Sequence, residues 1–441
     1  MNQHIPHTKE DIQQMLDKIG MKSLQELYSD VPADFLYKGE FDLPNAKSEE
    51  EIRRFFKQMA SQNTRLTPFV GQGWYDHYTP SSIVALTSRS EFLTAYTPYQ
   101  PEISQGTLRY IFEYQSMICE LTGLEVSNAS MYDGPTAAAE AARMAITSAR
   151  KKDTILISST LLPQVKEVVK TYARYAGTSI VEIAEEEGET SLASLKEALS
   201  THAVAGAIVP TTNCYGIIEN HSGFADAVHA VKALLIEYCD PSTLAVLKTP
   251  AEWGADIAVG DGQSLGIPLC FGGPTLGFMA CSKEHLRKLP GRIVGATTDK
   301  EGKRCFVLTL QAREQHIRRD KATSNICSNE SLMALWVTIY LSIMGPEGMK
   351  EVNEKSYAGA HYLYDELLHT GKFEKAYDKP FLKEFVLRPS KDIDIASLRK
   401  KLEEAGIFAA REVRKELVTF CVTEKRSKEE IDNLINIIKE A

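Results

Sequence analysis

No stretch of this chain stays apolar for the roughly 18–20 residues that a bilayer-spanning helix needs, which argues against a membrane span. The start, Met1-Asn2-Gln3-His4, lacks the basic and then apolar regions of a secretory signal. There are eight cysteines and ten histidines, yet no CxxC pair and no HExxH. Zinc needs ligands clustered at such spacings, so no metal centre is expected. The scattered thiols fit reduced, mostly buried cysteines in a cytoplasmic protein. Positive charge is in deficit, 50 basic against 59 acidic residues for a net −9, which speaks against non-specific nucleic-acid binding. A GxxxxGKS/T phosphate loop is absent. Gly71-Gln72-Gly73 has neither the third glycine nor the preceding strand of a dinucleotide fingerprint. Internal repeats and low-complexity linkers are missing as well.

What is present is ample core material: 441 residues, 43% hydrophobic and 25% charged, enough for two or three domains. Residues 1–62 are polar and helical in pattern, with Thr8 and Ser23 as expected N-caps and Gly20 as a helix stop. This stretch reads as a helical arm. Residues 63–328 alternate near-continuous apolar runs with amphipathic helices. Strands are expected at 154–158, 179–183, 204–209, 234–239, 257–260 and 277–280, with helices such as 162–175 and 192–199 between them. That pattern predicts a mostly parallel sheet covered on both faces. Residues 329–441 change character: a long helix from 330 to Gly345-Pro346, then helices and strands of a smaller α+β domain. The expected fold class is therefore α/β, a large mostly parallel domain plus a small C-terminal α+β domain.

Three features carry candidate chemistry. The first is Leu93 to Gly106, which follows neither helix nor strand periodicity. Pro98 and Pro101 hold it extended, while Tyr96 and Tyr99 each offer an apolar ring with a polar tip. Either it lines a site with Tyr96, Thr97, Tyr99, Gln100 and Ser104, or it packs an interface without touching ligand. The second is the basic run Arg313, His316, Arg318, Arg319 and Lys321. It is either a solvated or internally paired surface, or a recognition patch for a carboxylate or an acidic carrier. The third is a partial set for pyridoxal phosphate, whose enzymes commonly have this domain plan. Asp240 ends an apolar strand, where an acid would face the pyridine nitrogen. Asp133-Gly134-Pro135-Thr136 opens a helix, where a phosphate would rest. The Schiff-base lysine is missing, because Gln263 stands where it is expected and an amide cannot form that bond. Lys248 is the alternative lysine, but it precedes the relevant strand.

These segments together resemble one family. Gly71-Gln72-Gly73-Trp74-Tyr75-Asp76-His77-Tyr78, the Tyr96 loop, Glu120-Leu121-Thr122-Gly123-Leu124, Gly260-Asp261-Gly262-Gln263 and Gln311 to Cys327 are similar to the P-proteins of the glycine cleavage system. Among these glycine dehydrogenases (decarboxylating), the likeness is to the α subunits of the two-subunit bacterial form. The resemblance implies a fold type I (aspartate aminotransferase-like) large domain. It further implies a β partner, in an α2β2 assembly, that carries the pyridoxal phosphate. The pair would decarboxylate glycine and pass the aminomethyl group to the lipoyl group of the H-protein. This chain would complete the site or interface, with no catalytic residue of its own, no covalently bound cofactor, and Asp240 as a remnant. By itself it would be inactive. The other readings are an independent pyridoxal-phosphate enzyme using another lysine, and a non-catalytic scaffold for the carrier protein. Two departures stand out: Thr211-Thr212-Asn213-Cys214-Tyr215-Gly216 replaces a Tyr-Pro-Asn-Phe-Phe-Gly-like turn, and the stretch at 411–417 is shorter than usual.

Overall fold

The computed structural model describes residues 6–149, 151–414 and 416–441; Met1 to His4 lie outside them. The chain forms two compact units that meet in sequence at Thr64 and Arg65. In the first, the helix Lys9–Ile19 opens with a reciprocal Thr8–Asp11 capping box and ends at Gly20, whose φ of 75° a side chain would resist. Ser23 departs from expectation: the turn after it, Leu24–Tyr28, is a short 3-10 helix that receives no side-chain cap. A second helix, Glu49–Ala60, is capped by Ser48. Leu16 is buried in this arm, while Phe35, Tyr37, Phe41, Phe55 and Phe56 are exposed.

The second unit is built on a seven-stranded sheet. Its strands are β1 (Val126–Ser127), β2 (Thr154–Ser158), β3 (Ser179–Ile183), β4 (Val204–Pro210), β5 (Leu234–Tyr238), β6 (Ile257–Asp261) and β7 (Gly277–Cys281). The spatial order is β1-β7-β6-β5-β4-β2-β3. Neighbours from β6 through β3 run parallel, while β7 is antiparallel to both β6 and β1. Every residue of β2, β4, β6 and β7 is buried, as strands covered on both faces require. The expected strands are thus present to within a residue or so at their ends. Helix α1 (Gln105–Thr122) stops at Gly123, and α2 (Gly134–Ser148) lies against the sheet with seven alanine and methionine side chains buried. Small side chains there let α2 approach the strands closely.

Helix α3 (Ser331–His369) is long and apolar enough to cross a membrane by length and composition. It is interrupted at Gly345, where φ is 58°, just before Pro346. Its first part buries Met333, Ala334, Leu335, Val337 and Tyr340 in the protein core. Beyond it, Phe373–Lys375, Glu384–Pro389, Leu417–Cys421 and Arg411–Arg414 form a four-stranded antiparallel sheet in that spatial order. Helices Ile395–Glu404 and Lys428–Lys439 contribute Leu398, Leu402, Leu434 and Ile438 to its core. All eight cysteines are free. Four are buried, but Cys270 and Cys327 are exposed, which corrects the expectation for those two.

Candidate functional site

Parallel α/β sheets bind ligands at the carboxyl ends of their strands. Here β5 leads into Asp240 and β6 ends on Asp261, so both acids stand at that edge. Asp240 is met there by Lys383, which immediately precedes the strand Glu384–Pro389 of the C-terminal sheet. The Lys383 ammonium lies 2.6 Å from Asp240 Oδ2, and their side chains are only 4% and 10% exposed. Its other two protons go to Ser242 Oγ and His77 Nε2, each at 2.9 Å. An ammonium only donates, so His77 Nε2 must accept and its Nδ1 must carry the proton given to Glu424 Oε2 at 2.6 Å. Burial and the Lys383 charge hold the His77 pKa below its usual value, against the pull of Glu424. Burial works against the charge on Asp240, but Lys383 and the Ser264 hydroxyl outweigh it and keep the carboxyl below the ordinary range. The Tyr75 ring covers the ammonium at 3.9 Å from its centroid.

Gln263 is equally committed. Its Nε2 donates to the carbonyls of Tyr75 and Ile267 at 2.9 and 2.7 Å, and its Oε1 accepts from Tyr75 N at 2.8 Å. The side chain is therefore a structural clamp on the 71–78 segment. Gln72 and Tyr75 of that segment also reach buried Glu384, whose carboxylate accepts from Gln72 N, Gln72 Nε2, Tyr75 Oη and Thr419 Oγ1. The α2 N-terminus is filled as well. Asp133 caps Thr136 N at 2.7 Å, and Asp261 Oδ2 accepts from Gly134 N at 2.9 Å. A Cβ at Gly134 would sit 2.6 Å from Tyr238 Oη, so only glycine permits this approach. Burial lifts Asp261 to about 6, despite hydrogen bonds from Thr275 and two backbone amides.

What remains between Gly73, Tyr75, Thr212, Asp240, Asp261 and Ser264 is a cavity of about 20 Å³. That is space for about one water, and the buried Thr212 hydroxyl has no partner within the chain to compete with it. Pyridoxal phosphate does not fit these residues. An ammonium stands against the acid that would face the ring nitrogen, a carboxylate occupies the helix N-terminus, and an amide holds the lysine position. The Thr211–Gly216 turn takes part, with Cys214 O accepting from Gln72 Nε2 at 2.9 Å. Lys248, the alternative lysine, is exposed and stacked on Trp253 at 4.3 Å, away from this cavity.

The Tyr96 loop has no regular secondary structure between 95 and 104. Tyr96 is 77% exposed, Tyr99 58% and Ile103 81%. Gln100 is exposed, Thr97 and Ser104 are half-buried, and Ser104 gives α1 no side-chain cap. Within this loop, Tyr99 makes an inward side-chain contact, with Arg292. The basic run separates into parts. Arg313 is half-buried and donates to the carbonyls of Leu310 and Gly291 at 3.0 and 2.9 Å. His316 lies 3.5 Å from Glu314, and Arg318 and Lys321 are exposed. The same motif borders an open cleft of about 490 Å³, where Arg319, Asp320 and Ser324 face Glu140, Arg143 and Tyr172. The structure therefore joins Arg313 to the Tyr96 loop through Gly291 and Arg292, and leaves the rest of the run elsewhere. Sequence reasoning quoted the 71–78 segment but gave it no role, and it missed Lys383, Glu384 and Arg292. Two adjacent charges inside the apolar run Phe381 to Leu387 were the available signal.

A separate group, Asp256, Glu284 and His285, brings its ligand atoms close enough to share an ion. It lies at the opposite, amino end of the strands, in a cleft also lined by Lys232 and Lys288.

The family model of the glycine cleavage system P-protein matches residues 2–438. A "probable glycine dehydrogenase (decarboxylating) subunit 1" of Carboxydothermus hydrogenoformans is 46% identical over 441 residues, covering 99% of both chains. One of Moorella thermoacetica with the same description is 48% identical over 438 residues, covering 98% of each. A crystal structure of glycine decarboxylase (P-protein) of the glycine cleavage system, in inhibitor-bound form, superposes with a TM-score of 0.92 at 42% identity, covering 99% of both chains. Alanine–glyoxylate aminotransferase from Nostoc sp. shares the fold alone, with a TM-score of 0.60 at 18% identity over 91% of this chain and 97% of that one. The sheet order and the small C-terminal sheet are thus those of the fold type I pyridoxal-phosphate enzymes, and the chain belongs to the glycine cleavage system P-protein family.

Proposed function

We propose that this chain is the cofactor-free α subunit of a two-chain glycine decarboxylase. The observation that carries this reading is the closed pocket, in which Lys383, Gln263 and Asp261 occupy the three positions a pyridoxal phosphate would need. A homologous β chain would hold that cofactor, which supplies an electron sink for loss of carbon dioxide. This chain's part is to close the shared site and present the Tyr96 loop to it. Exposed Leu93, Tyr96, Tyr99 and Ile103 suit a surface meant to be covered. The full assembly is read as α2β2, cytoplasmic, delivering the aminomethyl group to the lipoyl arm of the H-protein.

The test is carbon dioxide release from glycine by each purified chain and by the mixed pair. Only the pair is expected to be active; release by this chain alone would overturn the reading. Within the pair, Tyr96→Phe and Tyr99→Phe are each expected to lower turnover about tenfold, the loss of one hydrogen bond of roughly 1.5 kcal/mol, with assembly intact. Unchanged turnover in both would favour the scaffold reading.

A further inference from the structure

Arg292 is 3% exposed, and its guanidinium is permanently charged. Among the chain's other buried or half-buried arginines, Arg399 and Arg426 also keep a buried Nε without a partner, but none of them is as deeply buried as Arg292. Arg426 pairs with Asp76, Arg313 gives its protons to two carbonyls, and Arg143 donates to the Thr323 carbonyl. Among the described residues no carboxylate pairs with Arg292. Its Nε is buried and has no hydrogen-bond partner. Its Nη2 reaches only Tyr99 Oη, at a long 3.3 Å. A buried charge left in this state is unfavourable unless something outside the chain completes it.

The position is nonetheless held firmly. Arg292 O accepts from Ala129 N at 2.8 Å, the neighbouring Gly291 O accepts from Arg313 at 2.9 Å, and Val294 N donates to Gln115 Oε1 at 2.9 Å. Nε and Nη2 share the edge of the guanidinium that grips a carboxylate or phosphate with two parallel bonds. One is free and the other weakly held. The Tyr99 ring centroid lies 5.4 Å from the guanidinium carbon, with the Tyr99 hydroxyl on Nη2. Tyr99 is itself 58% exposed and belongs to a segment without regular structure, so a change of its side-chain rotamer would release Nη2.

We infer that Arg292 is an anion-recognition residue, which takes an oxyanion of a small ligand held at the partner chain's site and brought against the Tyr96 loop. This rests on the reading of the chain as one of two subunits. Two ligands there carry the required chemistry: the carboxylate of glycine and the phosphate of pyridoxal phosphate. Tyr99 then acts as a positioning residue, guarding the charge until the ligand arrives.

The test uses R292M and R292K, in the full chain alone and in the mixed pair. Alone, R292M is expected to melt at or above the wild-type temperature, because it removes an unanswered charge. In the pair, it is expected to raise either the KM for glycine or the Kd for pyridoxal phosphate, read by absorbance titration, by roughly 10–100-fold, with kcat changed less. The constant that moves identifies the source of the anion. R292K is expected to recover part of the loss. The inference is overturned if both constants stay within about twofold of wild type. It is also overturned if R292M alone melts well below wild type, or if only association with the partner is lost, since Arg292 would then serve the fold or a protein carboxylate. An inactive wild-type pair would instead sink the two-subunit reading, so the two failures are distinguishable.

Discussion

Lys383→Met is expected to destabilise the folded chain by about 3–5 kcal/mol, the usual cost of removing one partner from a buried ion pair. The lysine's three protons are all used, on Asp240, Ser242 and His77, so nothing nearby can take over. Asp240 would be left as a buried carboxylate with only hydroxyl and amide support. It would have to take up a proton or admit water, and either loosens the contact between the central sheet and the C-terminal sheet. Denaturant unfolding of the full chain measures this directly. The companion D240N/K383M variant removes both charges and is expected to recover most of the loss, because the penalty belongs to the unpaired charge. A change under about 1 kcal/mol for Lys383→Met would mean that water already reaches the pair and the pocket is open.

Stability is expected to fall as pH rises from about 6.5 to 9. The cause is a second buried cluster, behind β4 and β5. His221 Nδ1 lies 2.9 Å from Glu237 and its Nε2 3.6 Å from Glu219, with all three side chains at most 1% exposed. Burial works against the imidazolium, yet the hydrogen bond to Glu237 and the charges of the two nearby carboxylates outweigh it and push His221 up to about 9. A histidine whose pKa is raised on folding holds its proton in the native state and loses it more easily when unfolded. Its contribution is complete below the unfolded pKa of about 6.5 and is lost as pH climbs through about 9. The size is on the order of 3 kcal/mol. Glu237 acts in the same direction, since burial raises its pKa despite the imidazolium beside it. Asp240 and Glu424, held below the ordinary carboxylate range, have the opposite sign and lose their contribution only in acid. Unfolding free energies at three pH values across the window, for wild type and His221→Gln, test this. The variant is expected to be weaker near neutrality and flatter with pH. A wild-type stability that stays level or rises toward pH 9 would contradict the assignment.

The sheet was readable because its strands are continuous apolar runs. Val204 to Pro210 contains no polar side chain, and all seven residues are buried. The place of Gln263 in the fold was readable too, because it follows a strand that ends in Asp261. The way the pocket is closed was not readable. Lys383 and Asp240 lie far apart in sequence, and no local pattern says that two elements will bring them within 2.6 Å. Just before its strand, Lys383 looks in sequence like a surface residue between Leu382 and Glu384. It and Glu384 both reach the 71–78 segment: Lys383 meets His77 and the Tyr75 ring, and Glu384 meets Gln72 and the Tyr75 hydroxyl. Arg292 is a similar case. One arginine between Gly291 and Ile293 is unremarkable in sequence, and its unusual state emerges only from what the fold fails to place beside it.

The most direct test of the account is whether the full chain retains pyridoxal phosphate. The purified protein is incubated with the cofactor, passed over a desalting column, reduced with borohydride and read by absorbance. The account predicts no retained cofactor for the wild type. It predicts the same for Q263K, because a lysine at that position still faces a filled cavity of about 20 Å³. With the partner chain present, cofactor is retained and fixed by borohydride on that partner. A borohydride-stable adduct on the wild-type chain alone would contradict the closed pocket and, with it, the division of labour proposed for the two subunits.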